Sequence, residues 1–415
     1  MSTRYSDDIL FFDNINILDL ASTSQTPFYL YSETIISNNF LAYQKSFGNN
    51  QHLICYSVKA NSNLTVLSLL SKLGSGFDIV SGGELSRVIK AGGDPRKTVF
   101  SGVGKTEEEI RFALSQDIMC FNVESHDELD TINSIALDEG KKANISIRIN
   151  PAIVVDTHPY ITTGMKDNKF GIDQSEILEI YQKASNMNGV NIIGIDFHIG
   201  SQITDVKPFE ESVLKIVSIV KTLQKNNIIL SHIDIGGGLG IKYHNEIKPD
   251  KNTFISSIIK LLQPYDVTIL IEPGRSIVGE AGLLISKVLN TKKTTSKEFI
   301  IVDAGMNDLL RPPLYDAYHQ IKEVKRNNDG KVLCDVVGPV CETADFLGKN
   351  RHLSVTRGDY IAVESVGAYG FTLSSNYNTR SKSAEYLIEK DGVTIKKIRE
   401  RDSIDQILEN EIKHL

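Results

Sequence analysis

The chain has 415 residues, 41% of them hydrophobic and 23% charged, and a formal net charge of -7. This length predicts two domains and leaves room for a large barrel. The mild negative charge argues against a general nucleic-acid surface, and no apolar run approaches the about 18 residues of a membrane-spanning helix. Four scattered cysteines and a start without signal-peptide features predict a reduced, cytoplasmic protein.

The middle of the chain alternates short apolar, β-rich runs with longer segments of helical periodicity. Strand candidates lie at 52–58, 76–81, 98–102, 119–124, 144–150, 192–199, 231–235 and 267–271. Helical candidates between them lie at 62–73, 107–114, 125–137, 176–184 and 209–225. Eight βα units in series predict a (β/α)8 barrel. A doubly wound open sheet is the alternative, disfavoured because polar or glycine-rich tips follow so many of the strands.

After about Ile277 the pattern changes to strand-like runs separated by turn signals, at 283–288, 299–303, 331–337, 360–366, 385–389 and 393–398. This pattern predicts a second, mostly antiparallel β domain. Short strand-like runs at 10–12 and 27–31 are assigned to the same domain. The predicted division is therefore a barrel domain at 31–276 and a β-rich domain formed by 1–30 and 277–415. The basic run from Lys292 to Lys297 is predicted to be a solvated hairpin loop.

Lys59 directly follows the first candidate barrel strand. A lysine there would point into the barrel mouth, where desolvation makes an amine more nucleophilic. A lysine at a strand end that simply extends into solvent is the more common case when the residue stands alone. The functional interpretation therefore depends on the motifs that accompany it.

Two further motifs follow the seventh and eighth strand candidates. The glycine-rich segment 236–240 would let backbone amides approach an anion, and these loops are a common phosphate site in barrels. In the segment 272–275, Arg275 could bind phosphate or carboxylate, and Glu272 could hold a protonated ring nitrogen. His198 could stack on a flat cofactor, or be an ordinary hydrogen-bonded core histidine. No histidine spacing typical of a metal site occurs, so no catalytic metal is predicted.

A late cluster, 338–345, places Cys341 beside Glu342 after a Gly-Pro pair. A cysteine positioned in this way can donate a proton. A buried, inert cysteine at a strand turn is an equally good interpretation of the cluster by itself.

Together these motifs resemble the fold-type III pyridoxal-phosphate decarboxylases, which are alanine-racemase-like, and within them the diaminopimelate decarboxylases. The resemblance runs from the lysine motif at 56–61 to the segment 367–370. Its most specific part is the string 157–164 leading to 169–172, which is not expected of ornithine or arginine decarboxylases. The cluster 338–345 also fits, with Thr343 where serine is usual.

The resemblance implies a role for each matching residue. Lys59 would carry pyridoxal 5'-phosphate covalently, Glu272 would hold the ring nitrogen, and Cys341 would donate the proton. The other cofactor-binding residues would be His198, Ser201, Gly237, Gly238, Gly274, Arg275 and Tyr369. The substrate would be held by Arg275, Arg311, Tyr315, Glu342 and Tyr369. Asp78 and Glu84 would have supporting roles.

The resemblance also implies the reaction. The family decarboxylates meso-2,6-diaminopimelate to L-lysine and CO2, the last step of lysine biosynthesis, in a homodimer that shares Cys341 and Glu342 across its interface. The signs of Arg311 and Glu342 suit the distal carboxylate and ammonium of that substrate. Alternatives are decarboxylases of ornithine, arginine or carboxynorspermidine, and an inactive homologue. An alanine-racemase-like isomerase is disfavoured because such racemases place Arg, not Glu, at the ring nitrogen.

Overall fold

The structure, a computed structural model, describes residues 3–151, 153, 169–327 and 330–415. The chain forms two compact units. The barrel unit comprises Asn39–Ile241 and Ile247–Ser276, and the sheet unit comprises Met1–Asn38, Lys242–Glu246 and Ile277–Leu415. The predicted family motif at 157–164 lies outside the described residues.

The barrel unit contains a closed barrel of parallel strands within the described chain. In chain order these strands are β1 (His52–Ser57), β2 (Gly76–Ile79), β3 (Thr98–Phe100), β4 (Cys120–Val123), β5 (Ala143–Ile149), β6 (Val190–Phe197), β7 (His232–Asp234) and β8 (Thr268–Ile271). The barrel closes where β8 pairs with β1, in the register Ile269 to His52. Each strand pairs with its sequence neighbours, so the predicted (β/α)8 architecture is confirmed.

A helix follows each strand of the barrel in the chain. These helices are α1 (Leu64–Lys72), α2 (Gly82–Lys90), α3 (Glu107–Ser115), α4 (His126–Asp138), α5 (Ile177–Ser185), α6 (Lys207–Lys225), α7 (Lys251–Leu262) and the short α8 (Arg275–Val278), and Glu33–Phe47 precedes the barrel. Several begin at a capping side chain. The side chains of Ser81 and Ser125 accept hydrogen bonds from the backbone N–H groups of Glu84 and Glu128. Thr106 forms a capping box at the start of α3.

The barrel interior is layered because alternate strand residues point to the same face. Cys55, Val99, Cys120 and Leu270 form a buried apolar cluster. Two residues further along, every strand or the position after it carries a polar side chain. We call this set the polar ring: Ser57, Asp78, Ser101, Asn122, Arg148, Asp196, Asp234 and Glu272.

The sheet unit contains a mostly antiparallel sheet. Its main path runs through Phe346–Leu353, Val332–Val337, Glu298–Val302, Gly282–Lys293, Phe28–Ser32, Ala384–Ile388 and Ile395–Arg399. Tyr360–Glu364 pairs with both Gly282–Lys293 and Ile321–Glu323. A separate small sheet is formed by Thr3–Ser6, Ile9–Phe12 and Ile15–Asn16, and short helices lie at Ile17–Thr23, Arg311–Tyr315 and Ile404–Ile412.

The core of the sheet unit joins the N-terminal strands to the later sheet. Buried Leu10 and Phe12 pack with Phe28, Leu283 and Ile388. This packing explains why the early strand-like runs belong to the same unit as the strands after 277. The loop predicted at 292–297 is shorter than expected, because the strand Gly282–Lys293 includes Lys292 and Lys293.

Candidate active site

Lys59 lies in a short helical turn, Val58–Ala60, directly after β1. Its Nζ is 2.8 Å from Asp78 Oδ2, and the Lys59 side chain is 39% exposed whereas that of Asp78 is fully buried. Ser57 Oγ donates to the same carboxylate oxygen at 2.7 Å. The ion pair fixes the amine at the carboxyl ends of the strands, where active sites of barrels lie.

Glu84, in the first turn of α2, is a second carboxyl in the neighbourhood of Lys59. Its Oε2 accepts the backbone N–H of Val80 at 2.8 Å. Burial raises the pKa of Glu84 to about 7, although the Val80 N–H and the positive charge of Lys59 both lower it. The electrostatic environment of Lys59 therefore includes the carboxyls of Asp78, Glu84 and Glu272.

Three carboxyls of the polar ring, Asp196, Asp234 and Glu272, each offer an oxygen within 4.8 Å of the others. Two unit charges at this separation repel by about 3 kcal/mol at an effective dielectric constant of about 20. Burial raises the pKa of all three above its usual range, and repulsion from neighbouring carboxylates raises it further. The three cannot all be ionised without a compensating positive charge, which a cationic ring nitrogen or a metal ion would supply.

Arg148 supplies one positive charge to the ring. Its Nη1 is 2.9 Å from Glu124 Oε1 and its Nε is 3.7 Å from Asp196 Oδ2. Burial lowers the pKa of its guanidinium, but the nearby carboxylates outweigh this effect and raise it. Arg148 is therefore a permanent cation inside the barrel.

His198 is tied to the glycine-rich segment that follows β7. The N–H of Gly237 donates to His198 Nδ1 at 3.2 Å, so the proton of the neutral ring is on Nε2. Burial lowers the pKa of His198 well below its usual value, and the charges of Arg148 and Lys59 lower it further. A neutral, fixed imidazole suits stacking on a flat ring.

The glycine-rich segment leaves no room for side chains. A Cβ on Gly237 would lie 2.1 Å from the carbonyl oxygen of Glu272. A Cβ on Gly238, whose φ is +108°, would lie 2.2 Å from the carbonyl oxygen of Gly200. These close approaches hold the segment against the ends of β6 and β8.

Arg275 begins α8 and is 6% exposed. Its Nη2 donates to Ser201 Oγ at 2.9 Å. A Cβ on the preceding Gly274 would lie 2.9 Å from Ala60 Cβ, so Gly274 permits the close packing of this segment against the lysine turn. A guanidinium and a hydroxyl in contact form a ready site for a phosphate group.

In the sheet unit, Arg311 is 7% exposed and opens the helix Arg311–Tyr315. Its Nη1 is 2.8 Å from His319 Nε2, and its guanidinium lies 4.8 Å from the ring centroid of Tyr243. His319 Nδ1 lies 2.8 Å from the carbonyl oxygen of Glu364. Nδ1 therefore carries the proton, and Nε2 accepts from Arg311. These contacts hold a buried cation in one orientation.

Cys341 lies at the tip of a turn, residues 338–345, and its side chain is exposed. The carboxylate of Asp345 accepts the N–H of Met306 at 2.6 Å and that of Val340 at 2.7 Å, which anchors the turn. The Cys341 N–H donates to Asn378 Oδ1 at 2.9 Å. The turn therefore presents a thiol at a defined position.

The predicted residues fall into two groups by unit. Lys59, His198, Ser201, Gly237, Gly238, Glu272, Gly274 and Arg275 lie in the barrel unit, and Arg311, Tyr315, Cys341, Glu342 and Tyr369 lie in the sheet unit. Tyr369 adopts a positive φ of 58°, a strained conformation that is typical of functional loops.

The sequence did not predict a role for Arg148, Asp196 and Asp234 in the polar ring. Their signal was a charged residue inside an otherwise apolar strand.

Known proteins resemble this chain over nearly its whole length. Residues 33–279 match the family model described as pyridoxal-dependent decarboxylase, pyridoxal binding domain. A diaminopimelate decarboxylase of Aquifex aeolicus is 49% identical over 408 residues, covering 98% of this chain and 96% of the relative. One from Neisseria meningitidis is 46% identical over 403 residues, covering 97% and 99%. The chain belongs to the diaminopimelate decarboxylase family.

Solved structures of this family have the same fold. Diaminopimelate decarboxylase from Helicobacter pylori, complexed with L-lysine, has a TM-score of 0.93 at 47% identity, covering 96% of this chain and all of that one. The M. jannaschii diaminopimelate decarboxylase, also with L-lysine, has a TM-score of 0.94 at 37% identity, covering 100% and 99%. The predicted resemblance and fold class are confirmed, and the chain is a pyridoxal-dependent carboxy-lyase. No helix in the described part of the chain is long and apolar enough to cross a membrane.

The residues of the barrel unit fit pyridoxal 5'-phosphate. The absence of side chains in the glycine-rich segment leaves its backbone accessible, and a Cβ there would fill that space. Arg275 and Ser201 offer hydrogen-bond donors to a phosphate. Glu272 is one of three neighbouring buried carboxyls, with Asp196 and Asp234, that together need a positive charge. A protonated pyridine nitrogen would provide that charge. Lys59 offers the amine.

Proposed function

We propose that this protein decarboxylates meso-2,6-diaminopimelate to L-lysine and CO2 with pyridoxal 5'-phosphate as cofactor. The observation that carries the proposal is the Lys59–Asp78 ion pair at the carboxyl ends of the barrel strands, beside the buried carboxyl Glu272. The name shared by the curated relatives, and the bound L-lysine in two related structures, support this choice of substrate and product.

The barrel residues would hold the cofactor. Lys59 would anchor it covalently through Nζ, and Asp78 would keep that amine in place. When bound, the cofactor supplies an electron sink for the electron pair left when CO2 departs. Glu272 would balance the positive charge of the ring nitrogen, and His198, whose pKa burial lowers, would lie against the ring as a neutral imidazole. Ser201 would reach the phosphate, and the remaining contacts to the cofactor would come from Gly237, Gly238, Gly274, Arg275 and Tyr369.

Residues of the sheet unit would hold the substrate and complete the reaction. Arg311 would bind the distal carboxylate as a fixed guanidinium, together with Tyr315 and Tyr369. Glu342 would bind the distal ammonium. Cys341 would deliver a proton from Sγ to the carbon that loses CO2, after which solvent would return a proton to the sulfur. Arg275 would contact the substrate as well as the phosphate.

We also propose that the active protein is a homodimer in which Cys341 and Glu342 act in the partner subunit's site. The exposed position of Cys341 at the tip of an anchored turn supports this. Mixing the variants Lys59→Ala and Cys341→Ala, each inactive alone, tests it. In a two-fold dimer with shared sites, random exchange restores about a quarter of the wild-type activity, because one site in each mixed dimer is intact. Activity that stays at background after verified exchange would refute sharing.

The domain limits and the location in the cell are part of the same proposal. A cofactor-binding domain at 31–276, with a β-rich domain formed by 1–30 and 277–415, is supported by the two compact units and the family match at 33–279. The cysteines Cys55, Cys120, Cys334 and Cys341 carry free thiols, which supports a reducing compartment such as the cytoplasm.

The competing substrates are ornithine, arginine and carboxynorspermidine. Arg311 favours diaminopimelate over ornithine, because a diamine-forming substrate has no distal carboxylate to pair with this buried guanidinium. Parallel assays of CO2 release with each substrate decide between them. A higher kcat/KM for ornithine than for meso-diaminopimelate would overturn the proposed substrate.

A further inference from the structure

His319 is a fully buried residue of the sheet unit that the proposed reaction does not use. Its Nδ1 lies 2.8 Å from the carbonyl oxygen of Glu364, and its Nε2 lies 2.8 Å from Nη1 of Arg311. A carbonyl oxygen can only accept a hydrogen bond, so Nδ1 carries the proton. A guanidinium can only donate, so Nε2 accepts. The two contacts therefore fix His319 as a neutral imidazole in one tautomer.

The anchor of His319 is part of the paired sheet. Glu364 ends the strand Tyr360–Glu364, which pairs with Gly282–Lys293. The N–H of Glu364 donates to the carbonyl oxygen of Gln320 at 2.8 Å, so both backbone groups of Glu364 are hydrogen-bonded. The imidazole is therefore oriented by the backbone of the sheet and not by another mobile side chain.

A third group, Tyr243, contacts both His319 and Arg311. The centroid of the Tyr243 ring lies 4.8 Å from the guanidinium carbon of Arg311. It lies 5.2 Å from the centroid of the His319 ring, with an angle of 82° between the two planes. A cation over an aromatic face is attracted by the negative charge of that face. The guanidinium is therefore held at two points, by a hydrogen bond from Nη1 and by the ring beneath it.

This arrangement orders Arg311 before a ligand arrives. Fixing a long arginine side chain costs conformational entropy, and a ligand that has to order it binds more weakly. Arg311 is 7% exposed and already held, so this cost is met by folding. A planar guanidinium in a fixed orientation also selects the planar carboxylate that matches it. The affinity for a carboxylate should therefore depend on the residue that holds Arg311.

We propose that His319 is a positioning residue that sets the preference of the substrate site for ligands with a distal carboxylate, by holding Arg311 through Nε2. The inference rests on the proposed function, in which Arg311 binds that carboxylate, and it adds the residue on which the selectivity depends. Binding of a ligand that carries the carboxylate should require His319. Binding of the corresponding diamine should not.

Two substitutions separate the two hydrogen bonds of His319. In His319→Asn the short amide can still donate to the carbonyl oxygen of Glu364, but it does not reach Arg311. In His319→Gln the amide oxygen reaches the position of Nε2 and can accept from Arg311. Asn would be the better replacement if His319 only supported the fold, whereas Gln would be the better replacement for a positioning residue. Thermal unfolding of each variant confirms that folded proteins are compared.

The first measurement compares inhibition of the holoenzyme by L-lysine and by cadaverine, the diamine that lacks the carboxylate. For His319→Asn we expect the inhibition constant of L-lysine to rise about tenfold and that of cadaverine to change less than about twofold. His319→Gln should keep the constant for L-lysine within about threefold of the wild-type value. Equal rises for the two ligands, or a larger loss in His319→Gln than in His319→Asn, would show that His319 only supports the fold and would overturn the inference.

Steady-state kinetics with meso-diaminopimelate give the second measurement. His319→Asn should raise KM about tenfold and keep kcat within about threefold, because the distal carboxylate takes no part in bond breaking. An unchanged KM in a wild-type background of normal turnover would overturn the inference and leave the proposed function intact. A wild type that does not turn over meso-diaminopimelate would instead refute the proposed function, and the inference with it.

Discussion

His232 makes the stability of the barrel sensitive to acid. The ring is 1% exposed, and neither nitrogen has a hydrogen-bond partner among the described residues. A Cβ on Gly194 would lie 2.0 Å from His232 Nε2, so the ring fills the space of the missing side chain. Burial lowers the pKa of His232 from 6.5 to about 4. The imidazolium has no acceptor there, and folding therefore favours the neutral form.

The sign and size of the effect follow from linkage. The unfolded chain binds a proton at His232 below pH 6.5, whereas the folded protein binds it only below about pH 4. The stabilisation is therefore fully present above pH 6.5 and is lost as the pH falls towards 4. The difference between a pKa of 6.5 in the unfolded chain and about 4 in the folded protein corresponds to a loss of about 3 kcal/mol in the free energy of unfolding. His232→Leu removes this loss.

Urea unfolding of the apoprotein at several pH values between 7 and 4 measures the effect. The free-energy difference between His232→Leu and the wild type should move by about 3 kcal/mol in favour of the variant over this range. His414→Leu, at an exposed C-terminal position, is the matched control and should show no such trend. A difference that stays constant with pH for His232→Leu would refute the reasoning, because it would mean that the ring is solvated or paired.

Three further predictions concern the site. Gly238→Ala should weaken binding of pyridoxal 5'-phosphate about a hundredfold, because its Cβ would lie 2.2 Å from the carbonyl oxygen of Gly200. Normal affinity in a cofactor titration would show that the glycine-rich segment does not bind the cofactor. Arg311→Ala should raise KM for meso-diaminopimelate about tenfold or more, and an unchanged KM would remove Arg311 from the substrate site. Asn378→Gly keeps the left-handed backbone but removes the acceptor of the Cys341 N–H, so kcat and the alkylation rate of this exposed thiol should both change. Asn227→Gly, at another left-handed asparagine, should change neither.

The barrel could be predicted from the sequence because each of its strands is a short apolar run between helices of clear periodicity. The strand Phe346–Leu353 was not predicted, because it carries Gly348, Lys349 and Arg351 in place of an alternating apolar pattern. Its place in the sheet depends on pairing with Val332–Val337, a partner that is not visible in local sequence. Tertiary contacts, not propensity, therefore decide this element.

The candidate site could be predicted where residues follow strand ends, as Lys59, Glu272 and Arg275 do. The interior charges could not be predicted in the same way. Arg148 and Asp196 lie within strands, and their pairing requires the register between β5 and β6, which aligns these two residues. The sequence contains the alternation that points them inward, but the contact between them is a property of the closed barrel.

The most direct test of the central claim is a parallel measurement of CO2 and L-lysine formed from meso-diaminopimelate by the wild type and by Lys59→Ala. We expect the wild type to release one CO2 for each L-lysine, with little turnover of ornithine in the same assay. We expect Lys59→Ala to lose both the visible absorbance of the bound cofactor and the release of CO2. Full turnover by Lys59→Ala, or a wild type that prefers ornithine, would contradict the account.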